Sequence, residues 1–170
     1  MATLFRKPFL SCLENQQSLS WQQFSSQYPE FTQQIIQTAS EQALVDFKHV
    51  LTLSDFVLRS ALQAPEIVIN LFVTENVYQE KTPNYQALLK QQLQTCQTED
   101  ELHCQLRLFR LEQMVSIATA DLVLNISLDE SLKRLSELAD ALILGALDWL
   151  SDFCYQKWGK PTNNNGELQP

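Results

Sequence analysis

The sequence predicts an all-α domain. Its 170 residues include only three glycines and six prolines. Alternating β-branched runs are scarce, and apolar side chains recur every three or four positions, which is the period of an amphipathic helix. A chain of this length can build one good core. We therefore expect a helical bundle in which several short amino-terminal helices precede two long antiparallel helices, over about 99–124 and 128–158.

Aromatic spacing, prolines and a capping serine place the short helices. Trp21, Phe24 and Tyr28 would share one face of the first helix. Pro29 stands where the second can begin, because a missing N–H costs nothing at the first helical position. Ser54 is a good cap for a later helix. These signals predict helices over about 29–38, 40–51, 54–63, 65–71 and 83–96.

Both long helices have a marked start. Thr98 is followed three residues later by Glu101, and Ser127 by Glu130. Both pairs fit a capping box, in which the hydroxyl and the carboxylate accept hydrogen bonds from N–H groups that the helix leaves unpaired. The intervening turn at Asn125-Ile126 is short, so we expect the two helices to pack as an antiparallel hairpin.

The two long segments differ in how their apolar residues are distributed. At about 100° per residue, residues 99–124 carry apolar side chains on two sides, so we expect this helix to be the central, most buried one. Residues 128–158 have one apolar stripe opposite charged positions such as Lys133, and we expect the stripe to face the core. Its members are Leu128, Leu132, Leu135, Ala139, Leu142, Ile143, Ala146, Trp149, Leu150 and Phe153.

The last turns of the second long helix depart from this pattern. Leu144, Leu147, Tyr155 and Trp158 collect on the otherwise polar side. Apolar residues outside the core stripe are typical of a surface that another body covers. We therefore expect these four residues to form a surface on which a further domain docks.

A strip of polar residues is the most unusual polar feature of the first long helix. His103, Arg107, Arg110 and Asp121 fall on one flank, between its two apolar sides. Neither arginine has an acid three or four residues away, so each must find a carboxylate or carbonyl elsewhere. Two interpretations remain: the strip pairs inside the bundle or faces water, which we favour, or it contacts a ligand directly.

The charge balance argues against nucleic acid as a partner. The formal net charge is −8, and the 12 Lys and Arg residues form no dense run that could follow a phosphate backbone. No apolar stretch reaches the ~18 residues of a membrane span, and no sustained apolar segment follows the amino-terminal basic pair. We therefore expect no membrane partner and place the chain in the cytoplasm.

Candidate metal ligands and nucleophiles are isolated. His49 and His103 are the only histidines, and neither has a cysteine or carboxylate at ligand spacing. The four cysteines, at positions 12, 96, 104 and 154, show neither a paired metal spacing nor the framework of a small secreted protein, so free thiols are expected. From the residues themselves we identify no catalytic, cofactor-binding or metal-binding residue.

Several segments, in order, resemble one family of enzymes. The ordered set, rather than any single amphipathic piece, is specific, and it extends from about residue 50 to the last residue. The segments are Val50–Val57, Leu106–Arg110, Met114–Ala118, Leu135–Asp140 and Trp158–Pro161. The chain is identified by them as similar to the bifunctional glutamine synthetase adenylyltransferase/adenylyl-removing enzyme.

This resemblance implies a helical amino-terminal domain over 1–160 and a linker over 161–170 that leads into an absent nucleotidyltransferase domain. In the parent enzyme, the amino-terminal half would remove AMP from a tyrosine of glutamine synthetase by phosphorolysis, yielding ADP. The carboxy-terminal half would transfer AMP from ATP. Magnesium is expected in both reactions, and signal protein PII together with glutamine would set their balance.

The family's catalytic signature has no counterpart here. The resemblance implies a Gly- and Ser-containing loop followed by Asp-x-Asp on a strand, and no Asp-x-Asp occurs in the sequence. No catalytic residue is therefore carried over, and the segment by itself is expected to be inactive. The alternative is a free-standing helical adaptor whose exposed apolar patch binds a partner helix. An independent small-molecule enzyme has little support, because polar groups do not converge.

Overall fold

A computed structural model describes residues 13–79 and 81–162, and within them the chain is all-α, without a β-strand. The predicted fold class is therefore confirmed. A 3₁₀ turn at Asn76–Tyr78 follows α5, and a π-helical turn at Ala120–Leu124 follows α7. The α-helices are α1 Glu14–Gln27, α2 Pro29–Thr38, α3 Glu41–Leu53, α4 Asp55–Gln63, α5 Pro65–Val73, α6 Tyr85–Leu93, α7 Glu99–Thr119 and α8 Leu128–Trp158.

Most predicted helices lie within two residues of their observed bounds. Two differ more. The helix α6 spans Tyr85–Leu93 rather than 83–96, and α7 reaches residue 124 only through the π-helical turn. Asn125 follows that turn with a φ of 54°, a left-handed conformation that asparagine tolerates, and so ends the helix. The antiparallel packing of α7 and α8 stays a prediction.

The chain divides into two compact units. Unit 1 comprises the residues up to Thr82 together with Leu111–Leu135. Unit 2 comprises Pro83–Arg110 and the residues from Ser136 onward. Each long helix thus contributes one part to each unit. The predicted division into a domain over 1–160 and a linker over 161–170 is not tested, because residues 163–170 lie outside the described part.

Unit 1 is organised around a cluster of aromatic rings. Phe47 of α3 makes edge-on contacts with Phe24 of α1 at a centroid distance of 5.3 Å and with Phe72 of α5 at 5.0 Å. All three side chains are fully buried. Trp21 adds a further edge-on contact with Phe47 at 6.3 Å. Aromatic pairs in this geometry stabilise a core beyond their buried area, so the faces of α1, α3 and α5 are held together at one point.

Side-chain caps and prolines set the helix starts, and those at Ser54 and Pro29 were predicted. Ser54 Oγ accepts a hydrogen bond from the Val57 N–H at 3.2 Å, which confirms the expected cap of α4. Ser40 caps α3 in the same way, and Asn84 caps α6. Pro29 occupies the first turn of α2. The local sequence is therefore sufficient to start these helices.

The two predicted capping boxes have different outcomes. At α7 the box is complete, because Thr98 Oγ1 accepts from the Glu101 N–H and Glu101 Oε2 accepts from the Thr98 N–H. At α8 only the hydroxyl half forms, with Ser127 Oγ accepting from the Glu130 N–H. Glu130 Oε1 instead accepts from Thr82 Oγ1 at 2.6 Å and from a buried arginine on its own helix. The Glu130 carboxylate therefore pairs with one tertiary partner and with the next turn of its own helix, and not with the Ser127 N–H that a capping box would use.

The predicted core stripe of α8 is wrong in its orientation. The buried residues are Ser131, Arg134, Leu138 and Ala141, on a face about a quarter of a turn away from that stripe at about 100° per residue. Small residues on this face allow neighbouring side chains to approach closely, and Arg134 is buried as an ion pair with Glu130 at 2.9 Å. Stripe residues that are exposed instead are Leu128, Leu132, Leu135, Ala139, Ile143 and Leu150.

Among the described residues, no single helix is both long and apolar enough to span a membrane. The helices α4 and α5 reach that standard only when taken together across a bend of 111°, by length and composition alone.

Candidate functional site

In unit 2, α8 presents a concentration of exposed large apolar side chains. Ile143, Leu147 and Trp158 are 66%, 57% and 68% exposed. Single exposed apolar residues are ordinary, but a group of them on one short stretch of helix marks an interaction surface. The members of this group are Ile143, Leu144, Leu147, Leu150, Tyr155 and Trp158.

These side chains belong to two different sides of α8. At about 100° per residue, Ile143, Leu147, Leu150 and Trp158 lie along one side, which we call the ridge. Leu144 and Tyr155 lie on a neighbouring side, toward α6, where they line a groove. All four predicted docking residues are therefore at the surface, but Leu147 and Trp158 are on the ridge whereas Leu144 and Tyr155 are not.

The groove runs between α6 and α8 and encloses about 930 Å³. Apolar parts of its wall come from Leu93 of α6 and from Ala141, Gly145 and Trp149 of α8. Its polar residues are Asn84, Gln86, Lys90 and Gln94 on the α6 side and Asp148, Ser151 and Asp152 on the α8 side. The groove therefore combines apolar wall residues, among them Leu144, Trp149 and Tyr155, with polar and charged residues along both edges.

Close packing between α6 and α8 shapes this groove. A Cβ atom at Gly145 would lie 2.7 Å from Leu89 Cδ2, so the absence of a side chain lets the two helices approach. Trp149 is held in place by stacking on Phe153 at 5.1 Å and by donating its indole N–H to the Cys96 carbonyl at 3.4 Å. The aromatic wall of the groove is therefore preorganised.

Two lysines cover aromatic rings at the end of α8. Lys157 Nζ lies 4.7 Å from the ring centroid of Trp158 and 5.5 Å from that of Phe153. Lys160 Nζ lies 5.8 Å from the ring of Tyr155. These cation–π contacts give the carboxyl end of the surface a positive edge.

The predicted polar strip does not form a single site. His103, Arg107 and Arg110 are exposed on the unit 2 part of α7, whereas Asp121 is half-buried in the π-helical turn of unit 1. Arg107 Nε donates to the His103 carbonyl at 3.3 Å. Within residues 13–79 and 81–162, neither arginine forms an ion pair. This placement favours the interpretation that the strip faces water.

Buried charges in unit 1 were not expected from the sequence. Asp46 is buried and accepts hydrogen bonds from the Tyr78 hydroxyl at 2.8 Å and from Gln42 Nε2 at 3.0 Å. Arg134 is only 3% exposed and pairs with Glu130. The pairs Gln42–Asp46 and Glu130–Arg134 each lie within one helix, four residues apart. This spacing is visible in the sequence, but it is common on exposed helix faces.

Two carboxyl groups of unit 1 have displaced pKa values. The hydrogen bonds from Thr82 and Arg134 lower the pKa of Glu130 below its ordinary value. Burial raises the pKa of Glu112 on α7. The structure therefore favours the charged form of the Glu130 carboxyl and the neutral form of the Glu112 carboxyl.

The described residues contain no group of three or more His, Cys, Asp or Glu side chains arranged to hold a metal ion. Cys96, Cys104 and Cys154 are free thiols, as predicted, while Cys12 lies outside the described part. Burial, followed by the charges of Glu101 and Cys104, raises the pKa of the Cys96 thiol. A raised pKa disfavours the reactive thiolate.

Comparison with known families agrees with the resemblance found in the sequence. The family model of glutamate-ammonia ligase adenylyltransferase matches residues 44–170. The chain belongs to this family. The match begins inside α3 and includes both long helices, so α1 and α2 lie outside it. The family is one of nucleotidyltransferases, and its name identifies glutamate-ammonia ligase, or glutamine synthetase, as the protein substrate.

Proposed function

We propose that this chain is a helical scaffold segment of an enzyme that regulates glutamine synthetase by reversible adenylylation. The observation that carries the proposal is the ridge of Ile143, Leu147, Leu150 and Trp158, which is exposed in a chain of the matched family. Its occupant would be the nucleotidyltransferase domain of the adenylyl-removing half. The chain would hold that domain in place and help to position glutamine synthetase.

The size of the ridge is consistent with a contact inside one polypeptide. Full burial of one leucine or isoleucine side chain contributes about 1.5–3 kcal/mol. Four partly exposed side chains can therefore stabilise a docked domain, because a covalent connection removes much of the entropic cost of association. The charged, cation-covered end at Trp158 would form the polar rim of such an interface.

The chemistry of the parent enzyme is assigned to its nucleotidyltransferase domains. The amino-terminal half would release AMP from the modified tyrosine by phosphorolysis and form ADP, and the carboxy-terminal half would transfer AMP from ATP. The acidic side chains of the described residues do not fit a magnesium site, and the sequence has no Asp-x-Asp. We therefore derive no step through magnesium or nucleotide in this chain.

Regulation belongs to the same proposal. Signal protein PII and glutamine would set the balance between the two activities, in the cytoplasm. The exposed residues His103, Arg107 and Arg110 remain available to a partner or substrate of the intact enzyme. The chain by itself would not release AMP.

Hydrogen exchange tests the docking directly. In the parent enzyme, residues 143–158 should exchange more slowly than in the chain alone, because the ridge is covered. Equal exchange in both proteins would contradict the proposal. Release of AMP from adenylylated glutamine synthetase by the chain alone would overturn the assignment of catalysis to another domain.

Substitutions in the parent enzyme provide a second test. Leu147→Asp on the ridge should lower the adenylyl-removing rate by about tenfold, the effect of losing about 1.4 kcal/mol of docking free energy. Leu88→Asp is the control, because Leu88 of α6 is similarly apolar and exposed but lies on neither the ridge nor the groove. Equal losses for the two variants would indicate general destabilisation instead of docking.

A further inference from the structure

The groove between α6 and α8 is a surface separate from the ridge. Leu144 and Tyr155 line the groove, whereas Leu147 and Trp158 do not. An interpretation of the groove therefore stands apart from the proposed docking of the nucleotidyltransferase domain. The question is which kind of molecule has the shape and charge to fill it.

The length of the groove suits a short helix. Its lining spans Asn84–Gln94 along α6 and Ala141–Tyr155 along α8, which correspond to about 15 Å and 21 Å at the rise of an α-helix. Three to four helical turns would fill this length. The floor at Ala141 and Gly145 is closed, because Ala141 is buried and Leu89 packs against Gly145. An occupant would therefore contact the exposed walls at Leu144 and Tyr155.

The walls themselves favour a helix over an extended peptide. Both are α-helices, whose interior N–H and C=O groups already pair within the helix. An extended peptide would find few backbone partners there and would leave its own groups unpaired. A helix satisfies its own backbone and presents only side chains, which is how amphipathic helices bind apolar grooves.

The two edges of the groove have opposite charge. Asp148 and Asp152 lie on the α8 edge, and Lys90 lies on the α6 edge. None of the three forms an ion pair with another residue of the described ranges 13–79 and 81–162. Lys160, above the ring of Tyr155, lies beyond the acidic stretch. These charges are therefore available to a bound molecule.

We propose that the α6/α8 groove binds an amphipathic helix of a partner protein. Its apolar face packs on Leu144 and Tyr155, its basic flank pairs with Asp148 and Asp152, and an acidic or neutral flank faces Lys90. In coiled coils, charged residues flank the apolar seam between two packed helices in the same way. Because the edges differ in sign, the groove also selects the direction in which the helix lies.

A designed peptide provides the probe. It is a capped helix of about 14 residues, with leucines at i, i+3 and i+7, arginines along one flank, glutamates along the other and alanine elsewhere. Fluorescence anisotropy with the full chain should give saturable binding. A version interrupted by proline, which cannot form the helix, should bind at least about tenfold more weakly.

Variants of the full chain locate the binding. Ala87→Trp fills the groove from an exposed position of α6 and should weaken binding by about tenfold or more. Leu88→Trp, one residue away and outside the groove, is the matched control and should leave binding unchanged. Asp148→Lys with Asp152→Lys should also weaken binding, whereas Asp140→Lys, exposed on α8 outside the groove, should not.

A charge exchange completes the experiment. A peptide with its arginines replaced by glutamates should bind poorly to the unaltered chain and should regain affinity for the Asp148→Lys/Asp152→Lys variant. No saturable binding of the original peptide would overturn the proposal. So would equal binding to the Ala87→Trp and Leu88→Trp variants, or failure of the exchanged peptide to recover. None of these results would alter the comparison of Leu147→Asp with Leu88→Asp in the parent enzyme, because neither residue lines the groove, so the two proposals can fail separately.

Discussion

The two compact units differ in how they use their apolar residues. Unit 1 collects them in a dense core around Phe24, Phe47 and Phe72. Apart from the start of α8, its exposed apolar residues are scattered over four helices. Unit 2 has a smaller buried set and a continuous exposed group on α8. The buried apolar residues of unit 2 are Tyr85, Leu89, Leu93, Leu102, Phe109, Leu138 and Ala141.

We infer from this difference that unit 1 contributes mainly to stability and the exposed residues of unit 2 mainly to binding. A unit that buries its large aromatic residues gains free energy from its own packing. A unit that leaves leucine, isoleucine and tryptophan side chains exposed gains this free energy only when another domain or molecule covers them. We therefore expect substitutions in unit 1 to act mainly on folding and substitutions on the ridge or groove of unit 2 to act mainly on binding.

The largest expected effect is the loss of the central aromatic residue of unit 1. Phe47→Ala removes a fully buried ring that contacts Phe24, Phe72 and Trp21. It should lower the free energy of unfolding by about 3–5 kcal/mol, as is usual for phenylalanine in a close-packed core. Urea denaturation followed by circular dichroism measures the change.

Phe56→Ala is the control for this substitution. Phe56 belongs to the same unit but is exposed, so its truncation should cost well under about 1 kcal/mol. Similar losses for the two variants would mean that the aromatic cluster is not the main source of stability in unit 1.

A smaller effect is expected where α6 and α8 approach in unit 2. Gly145→Val would place a side chain against Leu89, whose Cδ2 lies 2.7 Å from the position of the added Cβ. Overpacking of this kind costs about 1–3 kcal/mol. In a Leu89→Ala background the cost should fall, because the atom in the way has been removed. Urea denaturation of the single and double variants measures this coupling.

Ala139→Val adds the same side chain to an exposed position of α8 and should change the free energy of unfolding by no more than about 0.5 kcal/mol. A Gly145→Val variant as stable as Ala139→Val would show that the two helices tolerate separation.

The smallest effect concerns the pH dependence of unit 1. The pKa of Glu130 is lowered by hydrogen bonds from Thr82 and Arg134, so its contribution to stability is present above the ordinary glutamate pKa and is lost as the pH falls through the lowered value. The pKa of Glu112 is raised by burial, so its ionisation costs stability as the pH rises through the raised value.

Substitution by glutamine should therefore have opposite consequences at the two positions. Glu130→Gln should reduce stability near neutral pH and flatten its decline in acid. Glu112→Gln should increase stability near neutral pH. Thermal melting between about pH 3 and pH 7 measures both, and a shift of the same sign in the two variants would refute the assigned causes.

Local signals in the sequence predicted most of the helices. Ser54 and Thr98 start helices because their hydroxyls satisfy N–H groups within the same turn, and Pro29 needs no tertiary partner to do so. The exposure of Leu147 and Trp158 was predicted by the same reasoning, since both break the pattern of α8. The groove was not found, because α6 and α8 are separated by many residues and their proximity depends on Gly145.

The order of residues along the chain therefore determined the helical class, most of the helix starts and the membership of a known family. The buried face of α8, the partners of the Glu130 carboxylate and the separation of ridge from groove depended on packing. The physical reason is that helical periodicity describes how apolar a face is but not how closely a neighbour can approach it. On α8 the face with Ser131, Arg134, Leu138 and Ala141 is buried, whereas Leu128, Leu132 and Leu135, about a quarter of a turn away, are exposed.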